Sequence, residues 1–403
     1  MRTVCLNCLS EFRYDRSTDS WFRIIRKPNG DHAKQLGVLF DRFNLKCPNG
    51  CEIDEEMLNH PTKVIGFVGE SASSKTHLIV SMIHSMMNDP VLAQEWSIIL
   101  TRKSVRQWAS LEDQLVNRKA IRATEGRKFA GNQLQKLDDP PPPPPGGQRQ
   151  TQTQARHHAW SHLQQRTPIV VKVSSLYTRR TVNLAFIDVA GEDITDGAVA
   201  AQVSPHLAVA DFLWFVVPST LNKQYLSIMR EHAGPANEDS LSNDVEHSQT
   251  VGRTNVMIDQ ISNMWRAANS YPSHQPIEPP RLHVSTILAK SDLLSLIDMP
   301  EVSIVAPPAD WAQSPLSTNG SGNLYNWNQI DYRSEATRSL VRKLFPAVDT
   351  TLSIHFPYNR YFPVSAVGCG KRSDNSYPVF KPYAASDPML YMLNLIEELR
   401  MDR

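Results

Sequence analysis

The stretch Gly69-Glu70-Ser71-Ala72-Ser73-Ser74-Lys75-Thr76-His77 joins a loop of mostly small residues to a Lys-Thr pair. Backbone N–H groups of such a loop, together with a helix N-terminus, form a cradle for phosphate oxygens. The Lys75 ammonium is placed to reach β and γ oxygens, and the Thr76 hydroxyl to ligate Mg²⁺. The usual pattern is G-x-x-x-x-G-K-[ST]. Ser74 stands where the second glycine belongs, so the N–H is kept and a Cβ is added at a tight turn. The apolar run Val64–Val68 before the loop predicts a buried strand. Leu78, Ile79, Met82, Ile83 and Met86 after it fall on one face of a predicted helix.

Three more segments follow apolar runs. Asp188 closes Val182–Ile187 and leads to Gly191 and Glu192. An aspartate there is suited to hold Mg²⁺ through water or Thr76. A glycine three residues on lets its N–H face a γ-phosphate. Lys290-Ser291-Asp292 follows Leu282–Leu288. A Lys-x-Asp turn can lay the lysine stem on a base and offer the carboxylate to two N–H donors. Guanine presents N1–H and N2–H together, and adenine does not. Ser365-Ala366 follows Arg360–Val364. Strands alternating with helices predict an α/β sheet with its ligand at the carboxyl ends of the strands.

Cys5-x-x-Cys8 and Cys47-x-x-x-Cys51 are two thiol pairs on short turns. With no apolar segment after the N-terminus to suggest export, a reducing, cytoplasmic setting is expected, and such pairs then favour metal over disulfides. Four thiolates converging on one ion make a tetrahedral zinc site. Trp21–Ile25 and Gly37–Phe40 between them read as short strands. Residues 1–60 are therefore expected to form a zinc ribbon whose folding leans on the metal.

Residues 61–403 are expected to form the α/β domain, with insertions at about 102–165, 233–280 and 300–330. The chain carries 42 basic and 41 acidic residues, so net charge singles out no partner class. Residues 102–180 are basic and read as a solvated face, with the first part, to about 137, helical. Charges in the ribbon alternate in sign, which does not favour nucleic acid. Pro140–Pro145 makes a stiff spacer. An Ala-rich helix is expected over 198–209, further helices over 221–232, 256–268 and near 333–345, and irregular chain over 300–330. Ser353-Ile-His-Phe precedes the Arg360–Val364 strand. The last helix is expected to start with Asp387 as N-cap and Pro388 at the first helical position. No apolar run reaches the roughly 18 residues that a membrane span needs.

GESASSKT, DVAG, AKSD and SAV, in this order, resemble the first, third, fourth and fifth motifs of P-loop GTPases of the translation-factor and Ras-like class. With the cysteine pairs in front, the chain looks most like the bacterial double-GTPase family, linked to conflict and defence systems. That resemblance implies a GTPase-like, mostly parallel sheet flanked by helices, GTP or GDP, Mg²⁺, and a second GTPase or an effector as partner. It places the loop 69–77, Asp188, Gly191, Lys290, Asp292, Ser365 and Ala366 around the nucleotide. Ala289 stands where the family has an Asn or Thr, and Glu192 where many members have a water-orienting Gln. Lys75 and Glu192 are then the catalytic candidates. The functional expectations are a GTP hydrolase acting as a switch, a nucleotide-sensing or structural module with weak turnover, or an ATPase.

The cysteine pairs generate the first test. Freshly purified, reduced protein is expected to carry about one zinc per chain by metal analysis. Less than about half an equivalent would remove the ribbon.

Overall fold

The computed structural model describes residues 2–5, 11–15, 20–25, 32–38, 55–69, 74–90, 92–117, 168–189, 207, 210–221, 223–232, 251–268, 282–308, 327–369, 376–396 and 399. The first 38 residues contribute a four-stranded antiparallel sheet, β1 (Arg2–Val4), β2 (Glu11–Asp15), β3 (Ser20–Ile25) and β4 (His32–Val38), in sequential order. The strand expected over Gly37–Phe40 thus lies earlier, with a bulge at Trp21/Phe22 absorbing a register shift. Cys5 is buried at the end of β1. Cys8, Cys47 and Cys51 lie outside the described residues. Among the described residues there is no cluster of three or more potential metal ligands.

The main body is one seven-stranded sheet. Its strands are β5 (Thr62–Gly69), β6 (Trp96–Leu100), β7 (Ile169–Ser175), β8 (Thr181–Asp188), β9 (Phe212–Pro218), β10 (His283–Ala289) and β11 (Asn359–Val364). They lie in the order β11-β10-β9-β5-β8-β7-β6. The first five in that order run parallel. β7 and β6 are added antiparallel. Parallel strands need crossovers long enough for helices, and those helices bury both sheet faces. The sequence of β5 shows the result. Val64 and Val68 point into one core, Ile65 and Phe67 into the other, and all four are fully buried.

On the first face the helices Val251–Ala268, Trp327–Leu344 and Pro346–His355 supply Met257, Ile258, Leu340, Val341, Val348 and Leu352. On the second, the helix Lys75–Asn88 supplies Leu78, Ile79, Met82, Ile83 and Met86, the face its spacing predicted. The helix Arg102–Val116 adds Trp108 and Leu115, and the C-terminal helix Asp387–Leu395 adds Met389, Leu390 and Leu393. Phe67 and Trp214 pack with ring centroids 4.8 Å apart at 58°. That tilted geometry suits two aromatic quadrupoles.

Several segments differ from the expectation. Chain over 302–308 is ordered, because Val302, Val305 and Ala306 at helical spacing bury against the first core. The helix expected near 333 begins at Trp327. Ser353–His355, ahead of β11, end a helix that the sequence did not announce: Pro346 starts it, and Val348 and Leu352 hold it down. The N-cap of the last helix is Ser386, not Asp387. Of the Ala-rich 198–209 piece only Leu207 is described, and it is buried. The proline run and residues 118–137 lie outside the described residues.

Asp387 has a different task from capping. Its carboxylate accepts from Arg333 Nη2 at 2.6 Å and Nε at 3.1 Å, with the aspartate side chain 1% and the arginine 14% exposed. Burial pushes the Asp387 carboxyl up, and the guanidinium opposes this. Breaking one side of such a pair strands the other charge in the core. Asp387→Ala is expected to cost about 3–5 kcal/mol, read as a shift in the urea midpoint. A shift below about 1 kcal/mol would show that the pair behaves as a surface ion pair.

Candidate functional site

Strand register builds the site. β5 and β8 pair with Phe67 beside Asp188, two residues before Gly69. The helix Lys75–Asn88 starts six residues beyond Gly69. As a result Thr76 Oγ1 donates to Asp188 Oδ2 at 2.6 Å, although 112 positions separate them in the chain. A hydroxyl and a carboxylate side by side are two hard oxygen ligands of the kind Mg²⁺ takes. The residues therefore fit the ion the sequence implied.

Lys75 is 7% exposed, and its Nζ donates to the Gly69 carbonyl at 2.7 Å. The ammonium is thus folded over the mouth of its own loop. Ser74 takes φ 66° and ψ 25° with no side-chain capping bond. This is the left-handed region, where a Cβ approaches the following carbonyl and glycine is at ease. The substituted position is the one that demands glycine. Glu70, Ser71, Ala72 and Ser73 lie outside the described residues, as do Gly191 and Glu192. His77, the next helical residue, packs edge-on against Tyr377 with centroids 5.9 Å apart.

The second half of the site lies at the ends of β10 and β11, which pair with Ala289 beside Val364. Lys290 (φ 58°) and Ser365 are therefore neighbours at the sheet edge. Ser365 Oγ donates to Asp292 Oδ1 at 2.6 Å and accepts from the Gly368 N–H at 2.9 Å. Burial pushes the Asp292 carboxyl up. The Ser365 hydroxyl, its own backbone N–H and Lys290 pull it back in part. Ser81, on the helix that starts at Lys75, donates to the Ala366 carbonyl. The helix that starts at Lys75 is thereby tied to the loop that follows β11.

The structure thus brings together Gly69, Ser74, Lys75, Thr76 and Asp188 as one group and Lys290, Asp292, Ser365 and Ala366 as a second. Both lie at the carboxyl edge of the parallel strands. Sequence reading missed Ser81 and Ser219, whose hydroxyl reaches the Lys290 carbonyl at 2.9 Å. For Ser219 the available signal was a hydroxyl residue immediately after an apolar strand at the same edge; Ser81, in the middle of a helix, had none.

The strain at Ser74 has a measurable consequence. Ser74→Gly is expected to stabilise the protein by about 1 kcal/mol, seen as a higher thermal midpoint. A lower midpoint would mean that the serine side chain makes an offsetting contact.

No protein-family model and no curated protein sequence matches the chain. Among solved structures it is similar to the Saccharomyces cerevisiae Ski7 GTPase-like domain bound to GDP and inorganic phosphate, at 11% identity and a TM-score of 0.32, covering 87% of this chain and 53% of that one. The same domain bound to GTP matches at 12% identity and a TM-score of 0.32, covering 87% and 54%. The chain spans about half the length of these structures.

Proposed function

We propose that this chain binds a guanine nucleotide with Mg²⁺ and hydrolyses GTP slowly, as a switch whose output passes to a protein partner. The observation that carries the reading is the 2.6 Å contact between Thr76 and Asp188 at the mouth of the Gly69–Lys75 loop. Thr76 and Asp188 would hold the metal, which when bound neutralises charge on the β and γ oxygens. Lys75 exchanges the Gly69 carbonyl for phosphate oxygens. Gly69–His77 wrap the phosphates, with Gly191 facing the γ position. Asp292 accepts from guanine N1–H and N2–H, Lys290 lies along the base, and Ser365 and Ala366 line its far side. Zinc at Cys5, Cys8, Cys47 and Cys51 belongs to the same proposal, supported by the burial of Cys5. So does a second GTPase or effector, in a bacterial defence setting, as partner. Among the described residues no helix is long and apolar enough to cross a membrane.

Slow turnover has its own supports. Ser74 sits in a strained left-handed conformation and Lys75 must leave a buried carbonyl, and in sequence Glu192 stands where many GTPases have a neutral Gln. These same features favour, as a second reading, a nucleotide-sensing module with negligible turnover. An ATPase is disfavoured by Asp292, which has no paired donors to meet on adenine.

Two measurements test the reading. In titrations with GDP and ADP, parent protein is expected to prefer guanine. Lys75→Ala abolishes binding, and Asp292→Asn moves preference toward xanthine nucleotides. Equal affinity for GDP and ADP would remove the base-reading role. Single-turnover hydrolysis then separates switch from sensor. A partner that supplies an arginine should add roughly 10³–10⁵ in rate, and no hydrolysis in the assembled complex leaves the sensor.

The Asp292 carboxyl also sets a pH dependence. Burial raises its folded-state pKa above the unfolded value, so without ligand the folded protein binds more protons than the unfolded chain in that window. Stability from this group therefore falls as pH rises through it. Guanine donors favour the ionised form. Guanine affinity is expected to rise as pH climbs through the ligand-free pKa, with proton release on binding detectable by titration in buffers of different ionisation enthalpy. A pH-independent affinity for guanine from about pH 4 to 7 would show that Asp292 does not face the base.

A further inference from the structure

We propose that Ser219 is a positioning residue for base recognition. Its buried hydroxyl, arriving from the end of β9, holds the Lys290–Asp292 turn in the conformation that aims the Asp292 carboxylate. The inference rests on the guanine reading above.

The sheet register puts Ser219 there. Ala289 pairs with Pro218 of β9 on one side and with Val364 of β11 on the other. The next residue of each flanking strand is a serine, so Lys290 emerges between Ser219 and Ser365. The two serines do different work. Ser365 holds the Asp292 side chain at 2.6 Å. Ser219 holds the backbone that carries it, through a 2.9 Å bond to the Lys290 carbonyl. Ser219 is 0% exposed, so water cannot replace its hydroxyl at that carbonyl.

That backbone needs holding. Lys290 sits at φ 58°, ψ 40°, a left-handed conformation that an L residue with a Cβ avoids unless its surroundings impose it. Its neighbour Ala289 has no polar side chain with which to do so. Beyond Lys290 the chain enters a tight turn, Ser291–Leu296, whose first hydrogen bond runs from the Leu293 N–H back to the Lys290 carbonyl. The Ser219 hydroxyl and this turn therefore converge on one oxygen. Removing the hydroxyl frees Lys290 to relax toward negative φ. That rotation would carry Asp292, two residues on, away from the Ser365 hydroxyl and from the base.

The test compares parent, Ser219→Ala and Ser219→Thr by calorimetric titration with GDP, with IDP, which lacks the guanine 2-amino group, and with magnesium pyrophosphate. Hydrogen exchange of the 291–294 amides is followed without ligand. In Ser219→Ala, GDP affinity is expected to fall about tenfold, on the scale of one hydrogen bond. The GDP-to-IDP preference should shrink with it, pyrophosphate affinity should hold, and the 291–294 amides should exchange faster. Ser219→Thr, which keeps the hydroxyl, restores the preference. An unchanged GDP-to-IDP ratio in Ser219→Ala would overturn the inference. So would equal losses for GDP, IDP and pyrophosphate, the pattern of a general folding defect. Parent protein that binds pyrophosphate but does not discriminate between bases overturns the guanine reading instead, and base positioning with it. Faster exchange in Ser219→Ala would then identify a loop brace without that ligand.

Discussion

In-register parallel pairing of β5, β8, β9, β10 and β11 is the constraint on which the site depends. Side chains that meet at the sheet edge come from widely separated parts of the chain, and only the hydrogen-bond ladders between strands bring them level. Phe67 opposite Asp188 delivers the carboxylate to Thr76. Ala289 opposite both Pro218 and Val364 delivers two serines to either side of Lys290. A slip of one residue in a parallel pair would send each of these side chains to the other face. The two apolar cores resist such a slip, because Val64, Val68, Ile65 and Phe67 have each to stay on their own side.

The β11 edge of this sheet is secured by polar as well as apolar contacts. Tyr361 donates to Asp349 at 2.6 Å, and Arg342 Nε meets the other carboxylate oxygen at 3.0 Å. Burial and that carboxylate together push the Tyr361 hydroxyl far up, so it remains a donor. The bond pins the helix Pro346–His355 to β11, and Asp387–Arg333 pins the last helix to Trp327–Leu344. Buried ion pairs contribute less net stability than their geometry suggests, because each charge is first stripped of water. Their value here lies in orientation: they hold the helices Pro346–His355 and Asp387–Leu395 in place against the helix Trp327–Leu344.

Polar groups inside the site are paired with one another. Lys75 rests on the carbonyl of Gly69, Thr76 on Asp188, and Ser365 on Asp292. Each contact satisfies a buried or half-buried polar group within the chain itself. The raised carboxyl of Asp292 is the electrostatic mark of its desolvation, which the Ser365 hydroxyl offsets only in part.

Local sequence alone determined the strand at Val64–Val68, the inward face of the helix after Lys75, the strand ends at Asp188, Ala289 and Val364, and the α/β class. These are legible because hydrophobic periodicity and runs of buried β-branched residues report burial directly. The sequence also flagged Ser74, though not its cost, since only the backbone angle of 66° shows that the position demands glycine. Tertiary structure decided the rest. That Asp387 faces Arg333 rather than capping its helix depends on how two helices cross. The helix Pro346–His355 is held by the core beneath Val348 and Leu352. Ser81, in the middle of a helix, carried no local mark of its partner, and Ser219 was ambiguous, for a serine after an apolar strand looks alike whether it meets water or a carbonyl. Which one it meets is set by strand order and register, and those arise from pairings between segments far apart in the chain.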